Sequence, residues 1–378
     1  MLAKTPPMGW NSWNTFGDKV CEKVVLETAD ALVSTGLKDA GYHYVVIDDC
    51  WSLRERDQDG KIAADPAKFP RGMKYVSDYI HGKGLKFGMY SCAGLKTCAG
   101  FPGSFDHEFL DAKTFAEYGV DFLKYDFCYK PSHCEGPLLY HRMGMALKAS
   151  GREILYSACN WGSDSVETWI RSTGAHMYRS TGDIADNFKS MSDIAISQIN
   201  KLPYSGPCCF NDIDMLVCGM HNQGNVAAGG MTDEEYLFHF ALWCVMQSPL
   251  MIGCDVRNMT PATLAALTNR ELIRIDQDEE ARPVYQISGG SPENLLLGFK
   301  HLANNEYLLA AFNFTDKTAG EWDGHVCLCD IGLPAGCGYG LRLRDVMTGE
   351  DLGVQREYIR LPLEARGFKV LRGVVVPA

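Results

Sequence analysis

Short apolar segments that stop abruptly at polar or charged residues recur along the first three quarters of this chain. Tyr44-Val45-Val46-Ile47 runs into Asp48-Asp49-Cys50-Trp51, and Lys86-Phe87-Gly88-Met89 into Tyr90-Ser91-Cys92. Gly119-Val120-Asp121-Phe122-Leu123 runs into Lys124-Tyr125-Asp126-Phe127, and Ile154-Leu155-Tyr156-Ser157-Ala158 into Cys159-Asn160-Trp161. Ala175-His176-Met177-Tyr178 runs into Arg179, with Gly182-Asp183 just beyond. Helical patterns lie between these segments. Glu22 to Thr35 places Val25, Ala29, Leu32 and Val33 at helical spacing, and Gly36 is its stop signal. Met73–His81 and Asp111–Tyr118 are shorter versions, and Glu234–Met246 is a longer, apolar-rich one. Strands alternating with helices indicate βαβ units on a parallel sheet.

Eight candidate strands follow: Met8–Ser12, Tyr44–Asp48, Lys86–Tyr90, Asp121–Asp126, Ile154–Cys159, Ala175–Arg179, Cys209–Asp212 and Pro249–Gly253. Cys209-Phe210-Asn211-Asp212 has little strand propensity of its own. Repeated β-then-α units with polar strand ends fit an α/β fold of the (β/α)8 TIM-barrel type, whose active site is built at the C-terminal ends of the strands. A doubly wound open sheet is the competitor. It usually carries a glycine-rich phosphate turn after its first strand, and no G-x-G-x-x-G follows Trp10.

After Tyr285 the pattern changes. Ser288-Gly289-Gly290-Ser291-Pro292 reads as a loop, and short apolar segments then follow at close spacing: 294–300, 306–313, 340–345, 358–363 and 367–372. Turn signals such as Thr348-Gly349-Glu350-Asp351 separate them, and no helix-length pattern intervenes. The reading is a catalytic barrel over 1–285 and an antiparallel β-sandwich domain over 286–378.

Within this frame Lys124 and Asp126 stand out. Residues two apart in a strand share a face, so the Lys124 cation should help to keep Asp126 ionised. An ionised carboxylate held at a strand end is a candidate nucleophile, and a structural ion pair is the bland alternative. The net charge of −11 argues against nucleic acid as a partner. No apolar run approaches the ~20 residues that a membrane span needs. The first residues, Met1-Leu2-Ala3-Lys4-Thr5-Pro6-Pro7, have no apolar h-region, so a cytoplasmic location is expected. Most of the fifteen cysteines are then thiols that pack as small hydrophobes, and the ten histidines are scattered, so no metal or cofactor is expected. Cys98 and Cys128 both follow candidate strands and would lie at the same barrel mouth, where they could bridge in an oxidising medium.

Six motifs give a more specific reading: Met8-Gly9-Trp10-Asn11-Ser12-Trp13, Ile47-Asp48-Asp49-Cys50-Trp51, Thr97-Cys98-Ala99-Gly100-Phe101-Pro102-Gly103-Ser104, Lys124-Tyr125-Asp126, Arg179 to Asp183, and Asn211-Asp212-Ile213-Asp214-Met215. In this order they resemble the α-galactosidases of glycoside hydrolase family 27, from residue 5 to about residue 280. The family also includes α-N-acetylgalactosaminidases, β-L-arabinopyranosidases and isomalto-dextranases. The resemblance implies a barrel plus a C-terminal β domain, an α-galactoside oligosaccharide or glycoconjugate as substrate, and a monomer or homo-oligomer. It implies Asp126 as nucleophile and Asp183 as general acid/base. Asp48 and Asp49 would bind the 4- and 6-hydroxyls of galactose, Lys124 would reach the sugar hydroxyls, and Arg179 would lie near the 2-hydroxyl. Trp13 and Tyr90 would line the sugar pocket, Asp214 and Met215 would form a further wall, and Cys98 and Cys159 its edge.

Chemistry agrees with these roles. A retaining glycosidase needs two carboxyl groups about 5–5.5 Å apart. Asp126 must stay charged, and Asp183 must hold a proton at the start, so its surroundings should be less cationic or drier. The sequence also departs from the family. Asn160 stands where many members have Glu, and neither Asn160 nor Trp161 is small, which favours galactose over its 2-acetamido analogue. Cys208-Cys209-Phe210 replaces the usual glycines and Trp, which would reshape the pocket edge. Cys21 lies several residues beyond the position whose cysteine pairs with the equivalent of Cys50 in secreted members, which weakens a Cys21–Cys50 bridge. Two other classes remain: a barrel lyase or aldolase using Lys124 as a Schiff-base amine, and a carbohydrate-binding protein without catalysis.

Overall fold

The computed structural model describes residues 2–287, 294–320 and 323–377. The loop expected at Ser288-Gly289-Gly290-Ser291-Pro292 lies outside them. Eight short strands form one parallel sheet: β1 (Met8–Asn11), β2 (Tyr44–Val46), β3 (Lys86–Cys92), β4 (Phe122–Asp126), β5 (Leu155–Cys159), β6 (Met177–Arg179), β7 (Phe210–Asp212) and β8 (Leu250–Ile252). Their order is β7-β6-β5-β4-β3-β2-β1-β8. The ring closes just beyond β7, where the Leu216 amide donates to the Met251 carbonyl (2.8 Å) and the Gly253 amide to the Leu216 carbonyl (3.0 Å). All eight expected strands are present, including the seventh, which is held by its pairing with β6.

The alternation of faces explains the sequence pattern. Tyr44, Val46, Phe122, Leu155, Met177 and Met251 form one buried cluster inside the barrel, together with Met215. Their neighbours Val45, Leu123, Tyr156, Tyr178 and Ile252 point the other way, into the larger core beneath the helices. Two residues beyond the inner apolar rank, the same face carries Asp48, Lys124, Ser157 and Arg179. In register, Tyr90, Lys124 and Ser157 stand side by side, and Cys159, Arg179 and Asp212 form the next rank. The barrel is therefore filled with apolar side chains below and charged ones above.

The helices Glu22–Ser34, Gly72–Gly82, Glu108–Tyr118 and Asp233–Met246 match the expected ones. The last opens on a capping box, in which Thr232 and Glu235 satisfy each other's backbone amides. Nearly every residue from Glu235 to Met246 is buried, as a helix covered on both sides requires.

The cover on its outer side comes from the second part of the chain. Strands β9 (Tyr285–Gln286), β10 (Leu295–Leu302), β11 (Glu306–Asn313), β13 (Tyr339–Asp345), β14 (Asp351–Gln355) and β16 (Phe368–Pro377) form an antiparallel sheet in the order β14-β13-β16-β11-β10-β9. A small hairpin-like sheet of β12 (His325–Cys327) and β15 (Tyr358–Arg360) completes an unequal sandwich. Leu297, Phe299, Leu309, Leu341 and Leu371 face Val326 and Ile359 of the small sheet. On the opposite face, Leu296, Leu308, Ala310 and Phe312 join the barrel core. Burial on both faces explains why β10 and β11 read as continuous apolar runs rather than alternating ones. β12 and β14 are short or largely exposed and escape the sequence reading.

Candidate active site

The charged rank opens into a cleft at the C-terminal end of the barrel strands. Trp13, Asp48, Asp49, Tyr90, Cys98, Lys124, Asp126, Cys159, Trp161, Arg179, Asp183, Asp214 and Met215 all contribute to its wall. Asn160 does not. It is fully buried, and its amide nitrogen donates to the Ser163 carbonyl of its own loop (2.8 Å), so the expected contact with the sugar's 2-substituent finds no support in this geometry. Trp161, in a left-handed backbone conformation (φ 54°), takes the wall position instead. Cys208 and Cys209 precede β7 and lie at the opposite end of the barrel, where the Cys208 amide donates to the Ala3 carbonyl (2.7 Å), so they do not shape the cleft edge.

Asp126 is 5% exposed. It accepts hydrogen bonds from the Tyr90 hydroxyl (3.0 Å) and the Phe127 amide (3.0 Å). Lys124 is not its direct partner. The ammonium bonds Asp48 Oδ2 at 2.8 Å and helps Asp126 only through space. Burial outweighs that help and pushes the Asp126 carboxyl up to about 6. Asp48 accepts from three donors: Lys124, Asn11 Nδ2 (2.7 Å) and the Asp49 amide (2.9 Å). Asp49 accepts from the Cys50 and Ala99 amides at 2.7 and 2.9 Å, and burial still raises its carboxyl. These bonds fix both carboxylates while leaving acceptor capacity toward the cleft.

Asp183 has the reverse environment. Its side chain is 75% exposed and accepts from Arg179 Nη2 at 2.8 Å. The expectation of a drier or less cationic surrounding is thus not met. The turn after β6 carries Asp183 outward, over the guanidinium of its own strand end. The same Nη2 also contacts Asp214 Oδ2 at 2.8 Å. Asp214 adopts φ 88° and takes the Ile184 amide on Oδ2 (2.7 Å) and the Met215 amide on Oδ1 (2.7 Å).

Cys98 and Cys128 form a disulfide that joins the loops after β3 and β4, with Cα atoms 5.2 Å apart. Cys98, Asp126 and Cys128 approach one another closely enough to suggest a metal site, but the two sulfurs are committed to each other. Cys21 and Cys50 are both free thiols. Burial holds the Cys159 thiol well above its ordinary range, so it lines the cleft uncharged.

A pair of carboxylates in contrasting settings, beside a fixed cluster of hydroxyl-binding carboxylates, is the equipment of a sugar-cleaving site. A family model described as Alpha galactosidase A matches residues 5–278. The chain belongs to the α-galactosidase family, glycoside hydrolase family 27. Alpha-galactosidase 3 of Arabidopsis thaliana is 50% identical over 281 residues, 73% of this chain and 61% of the plant protein. The match thus spans less than two thirds of that relative's length. Alpha-galactosidase A of Cellvibrio japonicus (strain Ueda107) is 40% identical over 387 residues, covering 98% of this chain and 92% of its own. The crystal structure of α-galactosidase I from Mortierella vinacea shares the fold with a TM-score of 0.88 at 35% identity, over 98% of this chain and 97% of that one.

In this α-galactosidase family member, Asn14, Ile184 and Val226 also line the cleft, although nothing in the sequence reading singles them out. Asn14 and Ile184 sit next to Trp13 and Asp183 in sequence, which was the available signal. Val226 comes from the long loop between β7 and the helix Asp233–Met246, where no periodicity points to the cleft. Asp212 and Asn11 support the cleft from below.

Proposed function

We propose that this protein is a retaining exo-glycosidase that removes terminal α-D-galactosyl residues from oligosaccharides or glycoconjugates. The observation that carries the reading is that buried Asp126 and exposed Asp183 reach one cleft from different strand ends. Asp126 attacks the anomeric carbon from the face opposite the aglycone. Asp183 gives its proton to the glycosidic oxygen as that bond breaks. The product is a β-linked galactosyl ester of Asp126. Asp183, now a carboxylate, takes a proton from water, and that water attacks the anomeric carbon from the face the aglycone left. The ester bond breaks and frees Asp126. Two inversions give net retention, and α-galactose is released first.

Asp48 and Asp49 accept hydrogen bonds from the sugar's 4- and 6-hydroxyls, and Lys124 donates to hydroxyls beside them. A sugar whose hydroxyl points elsewhere leaves a buried acceptor unpaired, at a cost of ~1–3 kcal/mol. Trp13 offers an apolar surface for the ring's less polar face. Support for the hexose over β-L-arabinopyranose comes from the complete Asp48–Asp49 pair, since the pentose lacks the hydroxymethyl group. The test is proton NMR of the first sugar released, with a panel of aryl α-galactoside, α-N-acetylgalactosaminide and β-L-arabinopyranoside. Release of α-galactose with the first substrate fastest is expected. Initial β-galactose would refute retention, and faster cleavage of either other glycoside would change the substrate.

A further inference from the structure

Asp183 has to carry a proton when substrate arrives, yet it rests on a guanidinium. An isolated arginine 2.8 Å away would pull the proton off a carboxyl group. Arg179 is not isolated. One nitrogen, Nη2, faces both Asp183 and Asp214, and Asp212 lies beside Arg179 in the sheet register. We propose that Asp214, braced by Asp212, is a positioning residue that takes up the charge of Arg179 and so leaves Asp183 able to hold its proton; this rests on the reading of Asp183 as acid/base.

The geometry commits Asp214 to this work. Its amide donates to Asp212 Oδ1 (3.0 Å), and its carbonyl accepts from the Trp243 indole (2.8 Å). Its carboxylate takes Arg179 and two backbone amides, and one of those amides belongs to Ile184, the residue after Asp183. Asp214 therefore holds both the charge under Asp183 and the turn that carries it. Burial raises the Asp214 carboxyl, and Arg179 and the two amides offset only part of that. The other groups facing Arg179 are Cys159, kept neutral by burial, and Asp212, pushed up to about 6 by the same cause. Lys124 on β4 spends its charge on Asp48, and Asp126 faces the cleft beyond it. Asp214 is thus the fully paired counter-charge, and Asp183 is the exposed one that is free to exchange its proton.

The test compares pH profiles of kcat/KM. Asp183→Ala first identifies which limb Asp183 carries, because that limb disappears. Asp214→Asn keeps an acceptor oxygen, and asparagine tolerates positive φ better than most residues. It should move the Asp183 limb to lower pH by about 1 unit. It should also cut kcat/KM at least tenfold more for galactosides with poor leaving groups than for those with acidic phenols. Asp214→Glu should bring the limb back whatever its effect on kcat. If Asp214→Asn fails to fold, Asp212→Asn decides the matter and should move the limb the same way by less. A stationary limb with equal loss on every leaving group would overturn the proposal and leave Asp214 a structural wall. If Asp183→Ala itself alters neither the limb nor the leaving-group dependence, the acid/base assignment falls and this inference falls with it.

Discussion

In the proposed mechanism, Asp126 and Asp183 take the two roles of one reaction, and where they sit sets them apart. Asp126 is buried, and burial opposes its charge, whereas Asp183 is exposed and rests on Arg179. The raised Asp126 carboxyl has a consequence for stability. The folded protein binds this proton more tightly than the unfolded chain, whose value is 3.8, so the group's contribution is fully present below pH 3.8 and is lost as pH rises through about 6. At pH 7 the ionised carboxylate is a cost. Asp126→Asn should therefore abolish turnover and still stabilise the protein at pH 7 by on the order of 1–3 kcal/mol, a gap that closes toward pH 4. Urea unfolding of both proteins at the two pH values checks the sign. The same group sets a rate limb. In Asp183→Ala, with an acidic phenol as leaving group, no acid is needed, and kcat/KM for forming the intermediate should rise with pH through about 6. In that variant azide needs no base and should give the α-galactosyl azide; a β-azide would remove Asp183 from its assigned role.

Strand ends and loops set the spacing of these side chains. In β2, β4, β5 and β6 an inward apolar residue is followed, two positions on, by an inward polar one (Asp48, Lys124, Ser157 and Arg179), and register ranks Tyr90, Lys124 and Ser157 across three strands. The loops after β3 and β4 are packed so closely that a Cβ on Gly94 would lie 1.9 Å from the Cys128 carbonyl oxygen. Gly94→Ala must push the two loops apart, and a displacement near 1 Å at the loop after Asp126 should lower kcat/KM about 10²-fold, read from initial rates. The disulfide closes a loop with a sequence separation of 30, worth about 3–4 kcal/mol in the chain-entropy account. Replacing both cysteines with serine should lower the midpoint of thermal unfolding by several degrees. Thiol titration of the denatured, unreduced protein should find thirteen free cysteines. A count of fifteen would show the bond unmade, as expected of a protein kept in a reducing cytoplasm.

Barrel and sandwich are joined by packing rather than by contact at a point. Phe238, fully buried on the helix Asp233–Met246, meets the rings of Phe312, Phe314 and Phe368 at 5.1, 5.6 and 5.9 Å. The inner face of the sandwich thus completes the core of the barrel's own helix layer. Phe238→Ala should cost about 3–5 kcal/mol, and calorimetry should show the unfolding transition moved down as a whole. A second, separate transition appearing only for the sandwich would mean that the junction contributes little to the barrel.

The sequence by itself determined the eight strands, the major helices, the β-rich C-terminal part and nearly every side chain of the cleft. These are local facts: a strand's inner face is read from alternation, and the point where alternation turns polar marks the mouth of the barrel. Tertiary structure decided the pairings. Lys124 is two residues from Asp126, but the ring of strands brings Asp48 within 2.8 Å of it. Asp183 is expected in a less cationic or drier place, and the turn after β6 puts it in water on Arg179. Asn160 carries the chemistry of a sugar ligand, yet its loop folds the amide back on Ser163. Which groups are charged, and which partner shares each charge, depends on distances between strands far apart in sequence, because burial and Coulomb forces act through space and not along the chain.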